Sequence, residues 1–244
     1  MAIKISKAVG MTHVGLVRSA NQDSYLIDGL NQLYIVADGM GGHAGGEIAS
    51  QLAITAINDF MVNQKDLSSE SVDSICGIVA GAINHASAKI FEKALEDTKL
   101  RGMGTTVTLA KIINGKTYCG HVGDSRLYLI RNKLIYPITE DHSLVNEQVK
   151  AGLISKEEAE VHHLKNVITR SVGYQEEEDV DTTFFDINDD DILVICSDGL
   201  HGKIPDIEIS TIVQQYKLDS VSKLIERALE LGGEDNISVI VIAF

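Results

Sequence analysis

The spacing of apolar and polar positions changes character along this chain. Short apolar blocks at residues 7–14, 24–27 and 33–37 read as strands, and Leu33-Tyr34-Ile35-Val36-Ala37 is apolar throughout, as in a buried strand. Two long helical segments follow, at 45–63 and 69–97. In the second, Val72, Ile75, Cys76, Val79, Ile83, Ala86, Ile90 and Phe91 recur at steps of mostly three and four and form one apolar stripe. Strand patterns return at 105–113, 116–121, 125–131 and 133–137, with Asn114-Gly115 as a hairpin turn signal. Residues 141–171 are polar and helix-like with a weaker core pattern, which predicts a flap lying over something. Strands at 182–186 and 191–196, helices at 206–216 and 220–231, and a strand at 237–244 complete the pattern. Strands in blocks and helices in blocks predict an α+β fold with antiparallel sheets rather than βαβ alternation. No repeat or low-complexity linker interrupts the chain, so residues 1–244 read as one domain.

Composition narrows the partners. Of 244 residues, 44% are hydrophobic, enough for a full core. The formal charge of −14, with no Lys/Arg-rich run, argues against nucleic acid and anionic membrane, both of which need a positive face. An anionic substrate stays open, because bound divalent cations invert the local sign. Residues 1–10 lack a signal-peptide core, and no apolar stretch approaches the ~20 residues of a membrane span. Cys76, Cys119 and Cys196 are far apart and sit among apolar neighbours, which predicts reduced, buried thiols in a cytoplasmic setting. Nothing demands more than a monomer.

The chemistry gathers at strand tips. The run 33–37 delivers Asp38, followed by Gly39-Met40-Gly41-Gly42-His43, and Ile192-Leu193-Val194-Ile195-Cys196 runs into Ser197-Asp198-Gly199. Either Asp-Gly pair alone is a good turn. Phosphate-cradling loops are also glycine-rich, but Glu47 stands where a Walker A loop needs lysine. A dinucleotide fingerprint fits at Gly39, Gly41 and Ala44, but its ribose acid, Asp59, falls inside a helical stretch. Three further acids border strands: Asp23 after Asn21-Gln22, Asp124 after Gly123, and Asp235 after Gly232-Gly233-Glu234. Clustered carboxylates without cationic partners stay ionised only if a metal neutralises them, and oxygen ligands select Mg²⁺ or Mn²⁺. Zinc spacing of Cys and His is absent. Arg18, the one basic residue close in sequence to this set, fits a phosphate clamp or an ion pair with Asp23. Arg126 reads as a structural partner of its neighbour Asp124.

Taken in order, Arg18…Asn21-Gln22-Asp23, Asp38-Gly39-Met40-Gly41-Gly42-His43, Gly102-Met103-Gly104-Thr105-Thr106, Gly123-Asp124-Ser125-Arg126, Ser197-Asp198-Gly199 and Glu234-Asp235-Asn236 resemble the metal-dependent Ser/Thr protein phosphatase family, protein phosphatase type 2C, in its compact bacterial form. The likeness spans residues 9–244. It implies a four-layer α-β-β-α sandwich of two antiparallel sheets with a two-metal site at one end. By that resemblance, Asp38 bridges both cations, the Gly39 carbonyl binds one, and Asp198 and Asp235 bind the other. Asp23 acts through water, Asp124 with Asp198 matches a weaker third-metal position, and Arg18 holds the substrate phosphate. Residues 141–171 match the family's flap. Gln22 replaces a glutamate common in the motif. Met40 stands where many eukaryotic relatives carry a histidine proposed as general acid, which leaves His43 as a candidate for that role.

The implied activity is hydrolysis of phosphoserine and phosphothreonine in proteins by a water bridging two divalent cations, Mn²⁺ or Mg²⁺, opposing a cognate Ser/Thr kinase. A covalent cysteine mechanism is not supported: Cys119 precedes Arg126 by seven residues where that loop needs six. A non-catalytic module of the same fold is the other class. The presence of Asp38, Asp198 and Asp235 together counts against it.

Overall fold

A computed structural model describes residues 7–42 and 45–244. Antiparallel pairing builds two sheets. The first takes β1 (Lys7–His13), β7 (Arg126–Arg131), β8 (Leu134–Pro137), β10 (Ile192–Cys196) and β11 (Ile237–Ala243), in the spatial order β1-β11-β10-β7-β8. The second takes β2 (Asp23–Asp28), β3 (Leu33–Met40), β5 (Val107–Ile113), β6 (Lys116–Val122) and β9 (Asp181–Asp186), in the order β2-β3-β5-β6-β9, with the short β4 (Gly104–Thr105) beside the end of β3.

Strand alternation assigns each side chain to a layer. Tyr34 and Val36 point between the sheets, where they meet Leu127, Leu129, Leu193, Ile195, Ile240 and Ile242. Their neighbours Leu33 and Ile35 face α1 (Gly45–Val62) and α2 (Val72–Glu96). Ile192, Val194 and Cys196 face away from the second sheet, toward α6 (Asp206–Tyr216) and α7 (Ser220–Glu230). Three apolar layers between four layers of backbone make the α-β-β-α sandwich. They also explain why central antiparallel strands lack polar positions: helices cover one face and the other sheet covers the second.

α2, with 25 residues and a mean hydropathy of 1.2 over its most apolar 18, has by length and composition alone the dimensions of a membrane span. Its apolar side closes against α1 and β6, while Lys89, Glu92 and Lys93 lie exposed. The composition is that of a core helix. Between β8 and β9, residues 141–171 carry α3 (Leu144–Lys150) and α4 (Lys156–Glu160), the latter with a capping box from Ser155 and Glu158. The turn α5 (Asp198–His201) continues directly from β10, where the sequence pattern predicts only a turn.

Candidate active site

One end of the sandwich collects the acids. β3 runs on past the apolar block because Gly39 and Met40 pair with Thr105 and Gly104. Thr106 fixes the main chain of Asp38 from both sides: its amide donates to the Asp38 carbonyl at 2.8 Å, and its Oγ1 accepts from the Asp38 amide at 3.0 Å. Thr105 Oγ1 donates to the same carbonyl at 2.9 Å. Asp23 stands opposite Asp38 in the β2–β3 register, a like-charge cross-strand pair that costs stability unless something compensates it. The Gly39 amide donates to Gln22 O at 3.1 Å. A Cβ on Gly39 would lie 2.0 Å from Gly46 O, and one on Gly46 would lie 2.7 Å from Gly39 O. Glycine at both places lets α1 start against the strand end, with no side chain between Gly46 and the Gly39 carbonyl.

The first sheet supplies the rest. Asp198 opens α5, and Gly199 behind it has no room for a Cβ, which would sit 2.0 Å from Asn236 O. Asn236 clasps the segment before β2: its Nδ2 donates to Val14 O and Ala20 O at 2.9 and 3.0 Å, and its Oδ1 accepts from the Gln22 amide at 2.8 Å. That clasp brings Arg18 to Asp235, Nη2 to Oδ2 at 2.7 Å. Arg18 therefore pairs with Asp235 and not with Asp23. Asp23 is buried and accepts from Ser197 Oγ at 2.8 Å.

The five acids feel one another. Burial, then the charges of Asp23, Asp198, Asp124 and Asp235, holds Asp38 well above the ordinary carboxyl range, with its carboxyl within hydrogen-bonding reach of Asp23 and Asp198. Burial followed by Asp198 and Asp141 pushes Asp124 up to about 8. Asp23 rises to about 6 through burial, opposed by the Ser238 and Ser197 hydroxyls. Asp198 is raised by burial and Asp235. Among the described residues no three acidic or imidazole groups close on one point as a finished cage. Even so, Asp23 Oδ1 and Asp198 Oδ1 are buried without a hydrogen-bond partner. Buried, unpartnered carboxylate oxygens within a mutually repelling set fit hard divalent cations.

Arg126, expected beside Asp124, instead grips Asp141 in a fork, Nε to Oδ1 at 2.8 Å and Nη2 to Oδ2 at 2.7 Å. Asp124 belongs to the loop before β7, whereas Arg126 is the first residue of that strand and turns its side chain toward Asp141 and the Tyr128 hydroxyl. His43 lies outside the described residues. Three buried or half-buried histidines around Asp124 escape the sequence reading. His201 Nε2 meets the Asp124 carbonyl at 2.9 Å, His142 Nδ1 meets the Gly123 amide at 3.1 Å, and His121 bridges Thr108 Oγ1 and Glu140 O. Burial lowers His201 to about 3 and His121 to about 4, so both are neutral. A cleft of about 840 Å³ opens on Asp124, Asp198 and Asp235 between the 141–171 segment and α6, with Val161 and Ile207 exposed on its opposing lips.

Comparison with known proteins gives a consistent picture. Protein phosphatase PhpP of Streptococcus pneumoniae is 38% identical over 238 residues, 96% of this chain and 95% of its own length. Serine/threonine phosphatase stp of Listeria monocytogenes is 35% identical over 237 residues, 95% and 93% of the two chains. The crystal structure of the Mycobacterium tuberculosis serine/threonine phosphatase PstP/Ppp has a TM-score of 0.91 at 32% identity, covering 99% of each chain. The catalytic domain of PstP, in complex with two manganese ions, has a TM-score of 0.86 at 32% identity over 98% of this chain and 97% of that one. The profile of protein phosphatase 2C matches residues 12–232. With the two-sheet sandwich and the acids at its end already in place, the chain belongs to the protein phosphatase 2C family.

Proposed function

We propose that this protein is a metal-dependent phosphatase that removes phosphate from serine and threonine in proteins. The observation that carries the reading is the set of five facing carboxylates with buried, unpartnered oxygens on Asp23 and Asp198. Relatives named as serine/threonine phosphatases, one of them in complex with two manganese ions, support both the activity and a two-cation centre.

Asp38, within reach of both Asp23 and Asp198, would hold two cations, one with help from the Gly39 carbonyl and the other with Asp198 and Asp235. Asp124, with Asp198, is suited to a third, weaker position, and buried Asp23 supports the shell through water. When bound, the cations lower the pKa of water toward neutrality and offset charge on the phosphoryl oxygens. Arg18 is half-exposed at the mouth with one nitrogen, Nη2, on Asp235, and its planar guanidinium would hold a phosphate for in-line attack. Arg126 is less exposed and commits both Nε and Nη2 to Asp141, so it is not suited to that task. The cleft beside the acids receives the peptide on either side of the phosphoresidue, with the 141–171 segment as a flap. The thiols of Cys76, Cys119 and Cys196 are all raised by burial, Cys119 to about 12, which disfavours a thiolate nucleophile. Work in the cytoplasm, as a monomer and against a Ser/Thr kinase, is the setting we propose.

The test is hydrolysis of a phosphothreonine peptide with Mn²⁺, with a chelator, and by Asp38→Asn. Turnover should require Mn²⁺ and fall at least about 100-fold in the variant, the scale of losing a principal electrostatic element. Full activity in chelator would sink the mechanism.

A further inference from the structure

The loop that carries Asp124 is held by the 141–171 segment through His142, by its side chain and its main chain. The Gly123 amide donates to His142 Nδ1 at 3.1 Å, and the His142 amide donates back to the Gly123 carbonyl at 2.7 Å. The His142 carbonyl in turn accepts from the Thr169 amide at 2.8 Å, which ties the outgoing and returning arms of the segment together. Because Nδ1 accepts, the ring proton sits on Nε2, facing Asp181 Oδ2 at 3.3 Å. Arg170 Nη1 lies 3.4 Å from that same nitrogen and 2.9 Å from Asp181 Oδ1. The His121 ring lies against that of His142 at a tilt of 44°, with centroids 4.8 Å apart. Burial, chiefly, holds His142 below the ordinary imidazole range, against the raising effect of Asp181. The loop has no slack to absorb a lost anchor. Gly123 has φ +111°, and a Cβ there would meet Thr106 at 2.6 Å, while Ser125 is fixed by Thr106 Oγ1 at 2.8 Å and by Thr108 Oγ1 at 2.9 Å. The far arm of the segment is anchored differently, main chain to main chain, between Val172 and Thr105.

We infer that His142 is a positioning residue: by accepting from the Gly123 amide it sets Asp124 for its cation and couples that carboxylate to the 141–171 segment. The inference rests on the assignment of Asp124 as a cation ligand. Asn146 and Asp141 also tie the segment down, but they reach Asp141 O and Arg126 rather than the Asp124 loop itself. His142 is the side chain that converts movement of the segment into movement of the acid.

The test is calorimetric titration of the whole protein with Mn²⁺, alongside kcat and KM on a phosphothreonine peptide. H142L removes the acceptor and should weaken the weakest resolved cation site about 10-fold, as loss of outer-shell support does, while the tighter sites stay within about 2-fold. H142N carries its amide oxygen on Cγ where histidine carries Nδ1, and should restore both the weak site and kcat despite losing the Asp181 contact. H142Q sets its oxygen one bond further out and should behave as H142L does, which keeps the test open if H142L does not fold. D124N separates the two levels of the claim. If it leaves the weak site intact, the ligand assignment fails. If it abolishes that site while H142L titrates as wild type, or H142N is as defective as H142L, the positioning role fails. A wild-type titration with no weak site also overturns it.

Discussion

Removing a charge from the active site should make the cation-free protein more stable. The case is clearest for Asp124, whose carboxyl is pushed from the ordinary 3.8 to about 8 by burial, Asp198 and Asp141. Between those two values the folded chain holds a proton that the unfolded chain has released, so stability falls as pH rises from about 4 to 8 and levels off beyond. A shift of about four units corresponds to about 6 kcal/mol at pH 8 if the carboxyl acts alone. Five acids share protons at this site, and solvent reaches its mouth, so neutralising one relieves roughly a quarter to a half of that, about 1.5–3 kcal/mol. For a chain of this size such a gain raises Tm by about 3–12 °C. The assay is thermal unfolding of wild type and Asp124→Asn in excess chelator at pH 8 and at pH 5. The variant should unfold at the higher temperature at pH 8, and the gap should shrink to about a third at pH 5, where only about one unit of the shift acts. Millimolar Mn²⁺ should reverse the order, because the wild type gains more from cations that its fifth acid helps to hold. A variant no more stable than wild type in chelator at pH 8, or a gap that ignores pH, would refute the reasoning.

Gly39→Ala should cost at least about 3 kcal/mol, because its Cβ would fall 2.0 Å from Gly46 O and 2.6 Å from Gln22 O, both backbone atoms that cannot rotate away; urea denaturation reads this directly. Arg18→Ala should raise KM for a phosphopeptide about 10-fold or more while changing Tm by no more than a degree or two, since its pair with Asp235 is solvent-exposed; steady-state kinetics beside a melt separate the two effects. His121, lowered to about 4, should erode stability as pH falls from 6.5 toward 4, where the unfolded imidazole takes a proton that the folded one refuses. The full loss is about 3 kcal/mol, and His121→Gln should flatten that limb of the pH–stability curve.

The fold was legible wherever burial is two-sided. Leu33–Ala37 and Ile192–Cys196 read as buried strands because each lies under helices on one face and under the opposite sheet on the other. The four acids beside glycine or asparagine stood out because close backbone packing leaves a composition trace: Gly39 against Gly46 and Gly199 against Asn236 both exclude a Cβ. Pairings set by tertiary structure left no such trace. Arg18 meets Asp235 across 217 positions, and Arg126 reaches Asp141 rather than Asp124. Nor did the sequence betray His121, His142 and His201, since a buried neutral imidazole is spaced no differently from a surface one. α5 was hidden for another reason: Ser197-Asp198-Gly199 has turn chemistry, and the four residues are too short to show helical periodicity.

β11 lies in the middle of its sheet, hydrogen-bonded to β1 on one side and β10 on the other, and Asn236 at its head clasps the segment that bears Arg18. During synthesis, therefore, β1 waits for β11. Until β11 emerges, β1 has no neighbour, Asp235 is missing, and Arg18 has nothing to orient it. Contacts of such long sequence separation slow folding. They also mean that a nascent chain without β11, whatever it has already folded, has neither Asp235 nor the Asn236 clasp that brings Arg18 to it.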